Sequence, residues 1–402
     1  MAFCLLFAGC GNEQAANNNN ANDNTPQKTD GSERIKIGVE VYSQDDPEVL
    51  SFRNYYENYI SESFEVDFLY STAISSAEDE KEFIDNAIKN DVKGIISFVN
   101  YDMDATLETC AASEVYYMMG SGSIPEEKFE KAKTNPYFLG VVGPSAEMER
   151  EAGANMASYF INNKLEDEAD APTGYIVLSG GSNPNIGNVM HKERTVAMLE
   201  TLGLPADKAL VEETTVLDSE YGKVCIIPGY ASEAISPLEE QLATNEYSAI
   251  LSSYTIADLW KIIKEAQKNT RFTIRTGIVD CFSEDNLFAV EDDTLHYVVG
   301  KYPSLIGPSY ALMYNAITGY ADDFRNEDGT AISIYQGFWT ASNKKEYEEL
   351  YGLTTGIYVN AYSADDLAKV IKEYTPDATL EDLIALAGAY SVDDAKARRG
   401  QN

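Results

Sequence analysis

The chain has 402 residues, 30 Lys and Arg against 66 Asp and Glu, a formal net charge of −36 and a hydrophobic fraction of 44%. That length allows two or three domains with full cores, and the apolar fraction is that of a globular protein. The charge argues against a nucleic-acid binder, which needs clustered Lys and Arg, and against a basic membrane-surface patch; no apolar stretch is long enough to span a bilayer.

The chain opens with an apolar run that ends Phe7-Ala8-Gly9-Cys10. An apolar start closed by small residues is a secretory pattern, and these four residues resemble the bacterial lipobox, whose Cys is lipidated and becomes the mature N-terminus. Residues 12–32 are rich in Asn, Gln, Ala, Asp and Thr and lack aromatic and branched aliphatic side chains. Such a segment buries too little apolar surface to offset its ordering entropy. The expectation is a signal segment over 1–9, a flexible Asn-rich tether over 10–33, and an extracytoplasmic body held to a membrane only through a lipid on Cys10. Cys110, Cys225 and Cys281 lie far apart with no C-x-x-C pair, which predicts buried free thiols rather than a disulfide framework.

From residue 35 strands and helices alternate. Apolar runs at 35–41, 64–70, 94–99, 115–119 and 137–142 predict strands, and 47–60, 76–89 and 104–112 predict helices. The rhythm restarts with helices at 145–162, 189–202, 232–244 and 256–268 and strands at 175–178, 223–227, 249–252, 273–279 and 296–299. A helix at 307–320, strands at 332–339 and 356–360, and helices at 364–373 and 380–389 complete the pattern. This alternation predicts an α/β fold of doubly wound parallel sheets. Two such sheets make two lobes, and ligands bind beyond the carboxyl ends of the strands.

Five landmarks carry a family resemblance: Ile35-Lys-Ile-Gly-Val-Glu-Val-Tyr-Ser-Gln44; Gly143-Pro-Ser-Ala-Glu-Met-Glu-Arg-Glu-Ala-Gly153; Ile176-Val-Leu-Ser-Gly-Gly181 followed by His191-Lys-Glu-Arg194; Gly277-Ile-Val-Asp280; and Val298-Val-Gly-Lys301-Tyr-Pro303-Ser-Leu-Ile-Gly307. In this order the chain resembles the type I periplasmic binding proteins, specifically the ribose/galactose-like sugar-binding lipoproteins of ABC importers. The resemblance implies two lobes joined by a hinge of three crossings, with an N-terminal lobe of 34–143 plus 302–355 and a C-terminal lobe of 144–300 plus 356–402. It makes 322–354 an insertion and the helix at 380–389 an added tail. The implied function is capture of a small polar ligand, a carbohydrate, and its delivery to ABC permease subunits. A sensing receptor of the same fold, or a binder of a sugar acid, nucleoside or other anionic metabolite, stands as the alternative.

Candidate ligand-binding residues follow strands. Tyr42, Gln44 and Asp45 follow the first, offering a ring to stack on a sugar face and groups to hydrogen-bond hydroxyls, or else forming a polar turn into Pro47. Asn100 and Tyr101 follow the third, with Asp102 as a second ligand group or a helix cap. The resemblance assigns Arg194 and Asp280 to the cleft; the Arg fork suits paired oxygen acceptors. Asn183 and Asn185, in the Gly-rich loop before that helix, either reach the cleft or make Asx turns; His191 reads as a bystander. Lys301 stands where the sugar binders usually have Gln, and Tyr254 near their Asn or Asp. Lys301 either adds a fixed positive charge beside Arg194, favouring an anion, or pairs with Asp280.

Other chemistries are not signalled. His191 and His296 have no metal-ligand spacing, there is no G-x-S-x-G, and neither a Walker A nor a G-x-G-x-x-G motif occurs. The expectation is a binding protein rather than an enzyme, with no cofactor and no metal.

Overall fold

The computed structural model describes residues 34–163, 171–183, 188–354 and 359–401. The signal and tether expected over 1–33, with Cys10, lie outside the described residues, as do Asn185 and most of the strand expected at 356–360.

Two sheets form. The first takes β1 (Ile35–Val41), β2 (Val66–Ala73), β3 (Gly94–Ser97), β4 (Tyr116–Gly120) and β5 (Phe138–Gly143). The second takes β6 (Gly174–Gly180), β7 (Thr215–Ser219), β8 (Gly222–Pro228), β9 (Ala249–Ser252), β10 (Arg275–Cys281) and β11 (Leu295–Lys301). Late in the chain β12 (Ile332–Tyr335) and β13 (Trp339–Ala341) follow. The first sheet runs β12-β5-β4-β3-β1-β2 with all neighbours parallel. The second runs β13-β11-β10-β9-β6-β8-β7, parallel except at its two antiparallel edges. Every residue of β6 and β10 is buried, as expected of parallel strands covered on both faces by helices.

Side-chain caps start the helices at the strand ends. Ser76 Oγ accepts from Asp79 N–H (3.2 Å), Ser145 Oγ from Met148 N–H (3.1 Å) and Asn188 Oδ1 from His191 N–H (3.0 Å). Each cap satisfies a donor that the first helical turn leaves open, and so fixes where the preceding loop ends. One apolar core continues from one sheet to the other through Ile37, Tyr302, Leu305, Trp339, Ile250 and Ile278. The outer faces carry separate cores, around Tyr117 and Phe138 on the first sheet and around Phe160 and Leu199 on the second.

The chain crosses between the sheets after β5, after β11 and between β12 and β13. The third crossing corrects the expected lobe boundary at 355. The single strand expected at 332–339 is two strands in different sheets: Ile332–Tyr335 pairs with β5, while Trp339–Ala341 pairs with β11. Trp339 draws the chain across by stacking on Tyr302, ring centroids 4.5 Å apart. The helix Lys344–Thr354 then lies with the second sheet, its Tyr347 hydroxyl donating to Ser283 O (2.9 Å). The tail returns to the first sheet's side: Tyr55 OH donates to Tyr362 O (2.9 Å), and Ala364 N–H donates to Tyr59 OH (2.8 Å). Its reason is burial, since Tyr362, Leu367, Ile371 and Leu383 are all fully covered there. Among the described residues beyond 338, the stretch up to 354 therefore goes with the second sheet and the tail from 359 with the first, the reverse of the expected assignment. The short helices Glu126–Ala132 and Val392–Arg398 and the edge strand β7 were not expected.

Candidate ligand-binding site

A cleft of about 750 Å³ opens where the carboxyl ends of both sheets meet. That volume lies within the range of about 300–1,000 Å³ common for small-molecule sites. The first sheet contributes Tyr42 after β1, Ser75 after β2, Phe98, Asn100 and Tyr101 after β3, and Ser121 and Ser123 after β4. The second contributes Met190, His191 and Arg194 after β6, Tyr230 after β8, Tyr254 and Thr255 after β9, Asp280 at the end of β10 and Lys301 at the end of β11. Asp46 and Glu48, at the start of the helix Pro47–Tyr55, complete the wall.

Seven of the expected ligand residues therefore line one cavity: Tyr42, Asn100, Tyr101, Arg194, Tyr254, Asp280 and Lys301. Three do not. Gln44 turns its amide to Ser71 O (2.6 Å). Asp45 is exposed, its N–H held by Ser43 Oγ (3.2 Å); the turn continues so that Asp46 caps the next helix, accepting from Glu48 N–H (2.9 Å) and Val49 N–H (3.2 Å), and takes the place in the wall. Asn183 is buried against Val211 O (3.3 Å). Asp102 is a cap, accepting from Ala105 N–H (3.1 Å). His191, read as a bystander, lines the cleft.

The two buried cations that line the cleft, Arg194 and Lys301, are consumed by ion pairs. Arg194 is held bidentately by Glu149, Nε to Oε2 at 2.5 Å and Nη2 to Oε1 at 3.1 Å, and its Nη1 donates to Ser253 O (2.7 Å). Glu149 itself is fully buried. Lys301 Nζ donates to Glu48 Oε1 (3.0 Å) and Ser121 O (3.2 Å). The pairing of Lys301 with Asp280 is corrected accordingly, because Glu48 reaches over from the first helix. A buried pair of this kind neutralises both partners.

Asp280, 8% exposed, accepts from Asn286 Nδ2 (2.6 Å). Burial first, and then the Asp46 and Glu48 carboxylates facing it, push its carboxyl up to about 6, against hydrogen bonds from Asn286 and Thr255. Burial, with the Arg194 and Lys301 charges nearby, holds His191 well below the usual imidazole range. Its Nδ1 accepts from Gly181 N–H (3.0 Å), so the neutral ring carries its proton on Nε2 as a donor. His191, Tyr230 and Tyr254 form an aromatic corner with centroids 5.7 Å apart in each pair. Tyr42 and Tyr101, 41% and 46% exposed, stand on the other wall. Among the described residues, four that line the cleft hold buried polar atoms without a partner: Asn100 Nδ2, Ser121 Oγ, Ser123 Oγ and Tyr254 OH.

Sequence reasoning missed Asp46, Glu48, Ser121, Ser123, Tyr230, Thr255 and the supporting Glu80. Glu80 Oε2 accepts from Tyr101 N–H (3.1 Å) and Asp102 N–H (2.9 Å), fixing the loop that presents Asn100 and Tyr101. The one signal in the sequence for most of these was their place just after an apolar strand run.

No protein-family model and no curated protein matches the sequence. Solved structures do. A galactofuranose binding protein superposes with a TM-score of 0.60 at 12% identity, covering 80% of this chain and 98% of that one. The periplasmic binding protein of the arabinose ABC transporter from Shewanella sp. ANA-3, bound to arabinofuranose, gives 0.57 at 15% identity over 79% and 95% of the two chains. An ABC transporter solute binding protein from Bacillus halodurans with bound myo-inositol gives 0.57 at 14% identity over 81% and 99%. The chain has the two-lobed α/β fold of the type I periplasmic binding proteins.

Proposed function

We propose that this protein is an extracytoplasmic solute-binding protein, tethered through a lipid on Cys10, that captures a carbohydrate in the cleft between its sheets and delivers it to the permease of an ABC transporter. The observation that carries this reading is the cleft's two-sided lining, in which rings and unpartnered hydrogen-bonding groups come from the strand ends of both sheets. Aromatic faces cover the apolar faces of a sugar, and hydroxyls and carboxylates hold its hydroxyl groups. A ligand that touches both lobes binds the closed arrangement better than the open one, and that difference is what shifts the population. The permease then reads the closed surface. No covalent step is involved. The fold's solved neighbours bind galactofuranose, arabinofuranose and myo-inositol, which supports a cyclic polyol. An anionic ligand loses its basis, because Arg194 and Lys301 already carry carboxylate partners.

A thermal-shift screen over sugars, amino sugars, polyols, sugar acids, nucleosides and amino acids, followed by calorimetry, tests the reading. A cyclic polyol or sugar should raise the unfolding temperature and bind with one-to-one stoichiometry. Stabilisation by amino acids or nucleosides alone, or by no compound, contradicts it.

A further inference from the structure

We infer that the ligand carries a protonated amine, seated against Asp280 and Asp46 between the aromatic walls of the cleft: an amino sugar or a comparable polyhydroxylated amine. This rests on the solute-binding reading and names its ligand class.

The cleft's charges favour it. Six charged side chains line the cavity, Asp46, Glu48 and Asp280 against Lys128, Arg194 and Lys301. Arg194 is neutralised by Glu149, and Lys301 by Glu48. Lys128 is exposed at the rim, where its Nζ donates to Asn100 Oδ1 (3.2 Å). Asp46 and Asp280 remain, and among the described residues neither has an ion-pair partner. Asp46 accepts only from two backbone N–H groups and from Tyr42 OH (3.2 Å). Asp280 has the Asn286 amide and the Thr255 hydroxyl. Two carboxylates from opposite walls thus line the same space, and the Asp46 charge adds to burial, the larger cause, in raising the carboxyl of Asp280.

Acidic side chains alone do not make a site; here independent features do. Tyr254, 6% exposed, and Ser121, 5% exposed, line the cavity with hydroxyls that have no partner among the described residues. They suit the hydroxyl groups of the same ligand. The rings of Tyr42, Tyr101, Tyr230 and Tyr254 line the cavity, and aromatic rings attract a cation, more strongly where water is excluded. The net charge of −36 adds a long-range field that concentrates cations and repels anions. A neutral sugar satisfies the hydroxyls but leaves two opposed carboxylates uncompensated; an ammonium satisfies both.

Calorimetry near neutral pH tests this with three matched sets: glucosamine, glucose and N-acetylglucosamine; the corresponding galactose set; and the mannose set. In at least one set the free amine should bind about tenfold or more tightly than both uncharged counterparts. Asp280→Asn, and independently Asp46→Asn, which keeps a helix cap, should bring the amine-to-hydroxyl ratio towards one. The ratio should also fall as salt rises, since it reflects charge. Neutral sugars binding as tightly as their amines in every set overturns the inference and leaves the solute-binding reading standing. Binding of none of the nine compounds overturns the inference as well, while the wider screen of sugars and polyols judges the reading itself.

Discussion

Asp280 is where stability and function oppose one another. Its carboxyl is raised to about 6 chiefly by burial, with Asp46 and Glu48 facing it from the first helix. Lys301 ends the neighbouring strand, and Tyr42 and Tyr347 also face the carboxylate. An acid raised in the folded state keeps a proton that the unfolded chain has already released, here between about pH 4 and 6. Stability from this group is full below that window and is lost as pH rises through it. Asp280→Asn should therefore raise the unfolding temperature of ligand-free protein by a few degrees near neutral pH, with a smaller gain at about pH 4.5. A variant less stable than the parent near neutral pH contradicts this account of the site. Arg194 and Lys301 line the cleft, and their carboxylate partners lie 45 and 253 residues away in sequence. Nothing local announces such a pair, so the sequence leaves open whether Lys301 adds a positive charge or pairs with Asp280, and Glu48 as its partner is legible only in the fold.

Among the elements, the alternation of strands and helices was legible because parallel strands buried on both faces read as continuous apolar runs, as in Tyr175-Ile-Val-Leu178. The run at 332–341 was not. Its apolar residues look like one strand, yet they divide between two sheets, and the break is set by long-range stacking of Trp339 on Tyr302. Likewise β7 alternates half-buried and exposed residues on a sheet edge, too weak a pattern to stand out. The attachment of β12 to β5 makes a specific demand at Gly140, whose φ is +126° and where an added Cβ would lie 1.9 Å from Ile332 O. Side chains rarely adopt that backbone conformation. Gly140→Ala should cost about 2 kcal/mol or more, seen as a lower denaturant midpoint, and should increase amide exchange in β12 first. Unchanged stability would mean that the edge pairing contributes little.

For the whole molecule, the continuous core beneath the cleft joins the sheets on one side, while the strand ends face one another on the other. Lys301 is placed at the crossing itself, with Glu48 and the Ser121 carbonyl as its partners from the first-sheet side. The proposed function requires that one solute be held by both sheets at once. A crystal structure of the complex with the tightest-binding compound from the screen decides this. The ligand should lie in the cleft within hydrogen-bonding distance of Asp280 on one side and of Asn100, Ser121 or Asp46 on the other. A ligand bound to one wall alone, or outside the cleft, would contradict the account.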